Sequence, residues 1–437
     1  MTAMLNITFP GTNFRQEYQY IAECVFGHFL RAPWRDAGCT EGCWTVSYGA
    51  STLRFPNLLF PEQNPDSWLT PAMPRPKAVY IADEPQLSPF PYALPEARTL
   101  QEADIFGSIF FFLAALEHEW RPPLDEFGNM DATRTFLGKN GLLARPVVDE
   151  CLDALLALLR RHEMPCEHGA FSYALQYSCD IDTPTLWFAC SPVQRMRYLL
   201  AAALKHRSLR RCRDIFASTG DIRRDLYYTF PFIFATLEDL GIAGQFNVMT
   251  GATHRTFDTA YSLSDAPIAA LLRQITDLGH EIGFHPSFAT MSSEELFRKE
   301  YERLCAHLGH PVTCGRQHYL RFAGCTTWRM WDNAHILYDS TCGFFPQTGF
   351  RMGTSRPYRV FDVQRRRALR LTEYPLVIMD CSLYSEAATD EDIYEHALRL
   401  NQEVRKHSGT MTFLWHNHFF EDDGKRHMFQ RLLKAFA

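Results

Sequence analysis

A chain of 437 residues has room for two domains, and a hydrophobic content of 46% gives each enough apolar material for a core. The net charge of −6 gives no global basic signal for nucleic acid or an anionic membrane. The longest apolar run, Ile109 to Leu116, is too short to cross a bilayer, so no membrane span is expected.

The N-terminus, Met1-Thr-Ala-Met-Leu5, lacks the basic start and apolar stretch of a secretory leader. The 13 cysteines follow no disulfide framework, which adds to the expectation of reduced thiols in a cytoplasm. Cys39 and Cys43 have no second pair at matching distance and read as ordinary thiols. Residues 1 to about 98 mix strand-like runs with turns at Phe60-Pro61, Pro71 to Pro76 and Pro85 to Pro95. Ile105, Phe106, Ile109, Phe110, Leu113 and Leu116 recur at helical spacing and predict a helix over 102–120. Val148, Leu152, Leu155, Leu156 and Leu159 predict another over 148–162, ended by Pro165. No chemical constellation stands out here. Residues 1–168 are expected to form a smaller α+β domain that packs, supports a homo-oligomer or recognises a substrate end.

From about residue 172 strands and helices alternate, which predicts parallel strands with crossover helices. Tyr173 to Ser178 leads to Asp180, and Phe246 to Thr250 is a further strand. Ala269 to Leu278 is a helix, and Glu281 to Phe284 is a strand ending at His285. Ser292-Ser-Glu-Glu opens a helix with a capping-type start. Val312 to Gly315 leads to Arg316 and His318, and Ile336 to Tyr338 leads to Asp339. The run Gln364 to Arg367 reads as a solvated basic loop. Thr372 to Met379 reads as a strand ending at Asp380, and Met411 to Trp415 as one ending at His416. A helix from about Lys425 closes the chain. Strand after strand thus ends in a residue able to do chemistry, and parallel strands bring such ends to one face.

Asp180-Ile181-Asp182 can leave one carboxylate on a cation and the other free as a base. Taken alone, such a pair more often makes a turn or a helix cap. Gly279-His-Glu-Ile-Gly-Phe-His-Pro286 is more specific. Gly279 ends a helix, Gly283 permits a close approach, and His285 at the strand tip reads as a ligand partner of Asp182. His280, at the far end of the strand, reads as structural.

The Asp180–Asp182 turn, the segment ending at His285 and Leu414-Trp-His-Asn417 together resemble the motifs of NodB-type polysaccharide deacetylases, carbohydrate esterase family four. Arg316-Gln-His-Tyr-Leu-Arg-Phe322 and Gly349 to Tyr358 resemble a bacterial subgroup with an N-terminal domain of unknown function, which Asp104 to Leu113 is similar to. The resemblance implies a deformed parallel β/α barrel over 169–437 and metal-dependent removal of an N-acetyl group from an amino sugar of a polysaccharide or glycoconjugate precursor. It implies Asp180 as general base, Asp182 and His285 as ligands of a divalent metal, zinc by preference, and His416 as general acid. The family's second motif carries another histidine four residues on, where Ala289 stands here. His318, at the next strand end, is the best replacement. Asp380 is a candidate to orient His416. Arg316, Arg321 and Arg351 are candidates to hold Asp180 or an anionic substrate group, and Trp415 to line the pocket or the core. The rival readings are a same-fold hydrolase of a non-sugar amide and a non-catalytic sugar-binding or assembly protein.

Overall fold

The structure is a computed structural model that describes residues 4–40, 42–60, 69, 74–120, 122–166, 171–188, 190–205, 207–218, 220–420 and 422–437. Pro61 and Pro71, expected in turns, and the start of the N-terminal segment lie outside the described residues. Contacts divide the chain into two units, the first made of 1–174, 320–377 and 399–411, the second of 175–319, 378–398 and 412–437. The chain first leaves the first unit after residue 174, and two later segments return to it.

In the first unit, β1 (Leu5–Phe9), β2 (Trp34–Cys39), β3 (Cys43–Tyr48) and β4 (Ser51–Pro56) form a sheet in the order β2-β1-β3-β4. Its core is aromatic, with Trp44 4.6 Å from Phe106 and 5.1 Å from Tyr18 between ring centroids. Phe106 comes from the helix Ile105–Leu113, all of whose residues are buried. That helix is shorter than its apolar spacing predicts. It stops at Ala114, and Ala115 turns to φ 51° before a 3-10 turn over Leu116–Trp120. Asp104 starts it, accepting from the amides of Gly107, Leu58 and Leu59. The predicted helix over 148–162 is present as Val147–Arg161.

The second unit opens with β5 (Ala174–Ile181), β6 (Gly244–Val248), β7 (Glu281–Phe284) and β8 (Cys314–Gly315). The chain then gives the first unit β9 (Tyr338–Asp339), β10 (Tyr358–Asp362) and β11 (Arg367–Glu373), and the second unit β12 (Ile378–Met379) and β13 (Thr410–Leu414), which enters it at Thr412. The strand expected over 372–379 is therefore two. Pro375, which lacks an amide donor, lies in the break between them. Arg366, expected in solvent, instead turns at φ 52° and pairs at 2.7 Å with the buried Glu17.

The strands of the second unit run in the order β8-β7-β6-β5-β13-β12. The pairs β5–β6, β6–β7, β7–β8 and β12–β13 are parallel, so their C-terminal ends share one edge. Among the described residues this array is open, since β8 and β12 do not pair. The molecule is thus a mixed α/β structure with a parallel-rich sheet. Phe230–Leu240, Ala266–Asp277 and Glu294–Leu308 supply helices between these strands. Ser293 caps the last of them through its hydroxyl, one residue after the expected start. No described helix is long and apolar enough to cross a membrane.

Candidate active site

The register of β5, β6 and β7 sets Asp180 beside Asn247 and Asn247 beside Gly283. Asp180 is buried, and its Oδ1 accepts from Asn247 Nδ2 (2.7 Å) and from Arg316 Nη1 (3.0 Å). Burial raises its pKa most strongly of any single influence, yet Arg316, His285 and His416 together outweigh burial and hold it below the usual carboxylate value. Oδ2 makes no hydrogen bond among the described residues and stands 4.0 Å from His285 Nε2.

Gly283 is what makes room for this arrangement. A Cβ there would meet Asn247 Oδ1 at 1.9 Å. Gly283→Ala is therefore expected to displace Asn247 and loosen Asp180, at a cost of about 1–3 kcal/mol. Thermal melts should show a lowered Tm. An unchanged Tm would mean that Asn247 yields freely.

Asp182, His285 and His318 converge. Asp182 Oδ1 lies 3.0 Å from His285 Nε2 and 3.3 Å from His318 Nδ1, and the two nitrogens are 3.0 Å apart. The far nitrogen of each ring faces a backbone carbonyl. His285 Nδ1 is 2.7 Å from the oxygen of Arg316, and His318 Nε2 is 2.9 Å from that of Phe257. A carbonyl only accepts, so each far nitrogen carries a proton, and in the neutral ring each near nitrogen presents a lone pair. Two lone pairs and a carboxylate oxygen then point at one another, an arrangement that calls for a proton or a cation among them. Tetrahedral zinc with bonds of about 2.0–2.1 Å separates its ligand atoms by roughly 3.3–3.4 Å, close to the observed spacing. Among the described residues this is the one group of three or more such side chains with converging ligand atoms. Burial raises and the two histidines lower the pKa of Asp182, which ends well below the usual value. For His318 burial lowers and Asp182 raises, with a net increase.

Backbone strain places His318. Tyr319, which follows it, sits at φ 57° and ψ 22°, a left-handed conformation that side chains other than glycine rarely adopt. Its ring packs 4.4 Å from that of His318 between centroids.

At the end of β13, His416 Nδ1 lies 2.9 and 3.0 Å from the two oxygens of Asp380, and the His416 amide donates to the same carboxylate. Nε2 turns the other way, 3.7 Å from Asp182 Oδ2. Burial would lower the pKa of His416, but Asp380, with Asp182 and Asp180 behind it, outweighs burial and pushes the pKa up to about 10. Next to it, Asn417 donates to the carbonyls of Thr183 and Tyr227, tying β13 to the turn after Asp182.

Three comparisons bear on this site and its chain. Residues 6–164 match a family of unknown function, DUF7033. No curated protein matches the sequence. Among solved structures, a protein from Mycobacterium smegmatis described as a "putative polysaccharide deacetylase" aligns with 15% identity and a TM-score of 0.40, over 61% of this chain and 85% of that one. That likeness is too low to carry the fold or the chemistry, which rest on the geometry above.

The second unit brings together Asp180, Asp182, His285, Arg316, His318, Asp380 and His416. Arg321 and Arg351 belong to the first unit. There Arg321 donates to the carbonyl of Phe127, and Arg351 to the carbonyl of Gly343 and to His118. His118 can accept because burial and Arg351 push its pKa down to about 3. Asp339 also lies in the first unit, where it accepts from the amide and hydroxyl of Thr341. Trp415 is fully buried, with ring centroids 5.5 Å from Phe429 and 5.9 Å from Phe420, and so belongs to the core. Ala289 offers no ligand, and its amide donates to Thr253 Oγ1. His280 sits between Phe234 and Phe246 and accepts from the amide of Gly244, the structural place its position suggested.

Sequence reasoning passed over three positioning residues. Asn247 holds Asp180. Asp258 gathers the amides of Thr253, His254 and Phe288, with Oδ1 3.7 Å from His318 Nε2. Tyr261 bridges the Met249 amide and the Ile181 carbonyl, both at 2.8 Å. The signal for Asn247 was an amide side chain near the end of a strand otherwise rich in apolar residues. The loop over 253–262 has no periodicity and offered none.

Proposed function

We propose that the second unit is a metal-dependent hydrolase that removes an N-acyl group, most simply acetyl, from an amino sugar of a polysaccharide or glycoconjugate precursor. In this reading its strands belong to a deformed β/α barrel. The observation that carries it is the convergence of Asp182, His285 and His318, with both histidine lone pairs turned inward and the bare Oδ2 of Asp180 beside them. These three side chains would hold a divalent cation, zinc by donor type. Such an ion supplies a Lewis acid that polarises the acyl carbonyl and eases ionisation of water.

The remaining work falls to the chain itself. Asp180, kept anionic by Arg316, receives the proton of the attacking water at Oδ2. His416, kept protonated by Asp380, delivers a proton from Nε2 to the departing amine. Asp380 positions that ring and stabilises its charge. The reading is tested by measuring acetate release from N-acetylglucosamine oligomers by protein loaded with zinc, against a panel of non-sugar amides. Turnover of the amides alone would replace the sugar substrate, and no turnover of any substrate by fully loaded protein would overturn the reading.

The His416–Asp380 pair also predicts a pH effect. His416 is the acid while protonated, so its contribution is lost as pH rises through its pKa. Asp380→Asn removes the carboxylate that raises this pKa most, leaving burial opposed only by the more weakly acting Asp182 and Asp180. The alkaline limb of kcat/KM is therefore expected to move to lower pH, alongside a fall in kcat of about 10²-fold or more. A limb that stays in place would assign it to another group. The linked stability has the same sign. It is fully present below the ordinary value of 6.5 and is lost as pH rises toward about 10.

A further inference from the structure

The segment after the Asp182 turn forms a helical hairpin that the site does not use. Pro192–Leu200 continues into a π-helical turn, Ala201–Lys205, and Leu209–Ala217 follows. One apolar face of the hairpin is already spent. Ala202 and Ile215 pack with Trp187 in a small core of their own, with Leu199 and Cys212 against it. A second apolar face points to solvent. Val193, Met196, Leu200 and Leu204 follow one another at three- and four-residue spacing, and Leu209 and Phe216 stand seven apart. These six side chains are between 53% and 88% exposed. Helical spacing puts the first four on one stripe. A soluble helix normally buries its one apolar stripe, so a second stripe left in water marks an interaction surface.

Charge identifies the occupant. Residues 192–217 hold seven Lys and Arg against one Asp, in a chain whose net charge is −6. Arg197, Arg207, Arg210 and Arg213 are exposed among the apolar side chains. The same hairpin of a second copy, set face to face with it, would bring like charge against like charge. Protruding aliphatic side chains rimmed by arginines suit an anionic lipid surface, where apolar groups enter the acyl boundary and guanidiniums stay at the phosphate level.

We propose that the hairpin 192–217 docks the protein peripherally on an anionic lipid bilayer, with Leu200, Leu204 and Leu209 inserted at the interface. The proposal stands apart from the deacetylase reading, because it uses none of the site's residues. The full chain is tested by co-sedimentation with vesicles of phosphatidylcholine alone and of phosphatidylcholine mixed with phosphatidylglycerol. Binding is expected only to the mixed vesicles, weakening as salt rises. Leu204→Glu with Leu209→Glu should reduce it by about tenfold or more while leaving Tm unchanged, since both side chains stand in solvent. Arg210→Glu with Arg213→Glu should reduce it as well. Absence of binding to mixed vesicles, equal binding to both vesicle types, or binding that survives the leucine substitutions would overturn the proposal. So would concentration-dependent self-association that the leucine substitutions abolish, which would assign the stripe to a second copy.

Discussion

His318→Ala is expected to lose the metal and the activity together. The substitution takes away one corner of a triangle whose sides are 3.0, 3.0 and 3.3 Å. Ala289 offers no donor in its place, and Asp258, whose Oδ1 lies near His318 Nε2, already accepts from the amides of Thr253, His254 and Phe288. Two protein ligands fall short of the three that catalytic zinc normally has. Removing a residue that only supports a ligand costs roughly 10–100-fold in metal affinity, so removing a ligand should cost more than about 100-fold. Turnover should fall by at least about 10³-fold at limiting metal. Metal content of purified protein and a calorimetric titration with zinc provide the check. Retention of one zinc per chain in His318→Ala would remove His318 from the ligand set, and the search for a third ligand would then move to solvent or substrate.

Asp180→Asn should separate chemistry from metal binding. The amide oxygen of asparagine can still accept from Arg316 and Asn247, so the side chain keeps its place. What it loses is the charge and the basicity at Oδ2. A drop in kcat of about 10²–10⁴-fold is expected, with zinc stoichiometry unchanged. The same change leaves the fully buried guanidinium of Arg316 without its carboxylate, at a cost of up to about 3–5 kcal/mol. Assays therefore belong well below the lowered Tm. Loss of activity with loss of zinc would instead make Asp180 part of the metal shell, and near-normal turnover would exclude it as the base.

Much of this site was legible in the sequence for one physical reason. A parallel strand hands its last side chain to a shared edge, so Asp180, His285, His318 and His416 could be collected from strand ends alone. The same rule named Asp339, whose short strand lies in the first unit. It also could not see that Arg321 and Arg351 are engaged by carbonyls within that unit, because the acceptors are distant in sequence. Pro375 marks the break that the apolar run from Thr372 to Met379 concealed. The hairpin 192–217 escaped because its apolar residues occupy two faces, and a pattern that repeats on two faces does not reveal which one is covered.

Arg316 does two things at once. Its backbone carbonyl accepts a hydrogen bond from His285 Nδ1, and its guanidinium donates to Asp180 Oδ1. One residue therefore spans from His285 to Asp180, and the gap between them is measured out by the bonds of a single side chain. Here the arginine acts as a covalent ruler. A lysine at 316 would keep the carbonyl end and the charge, yet would lack the planar fork that fixes the far end, so His285 would stay aimed while Asp180 lost its distance.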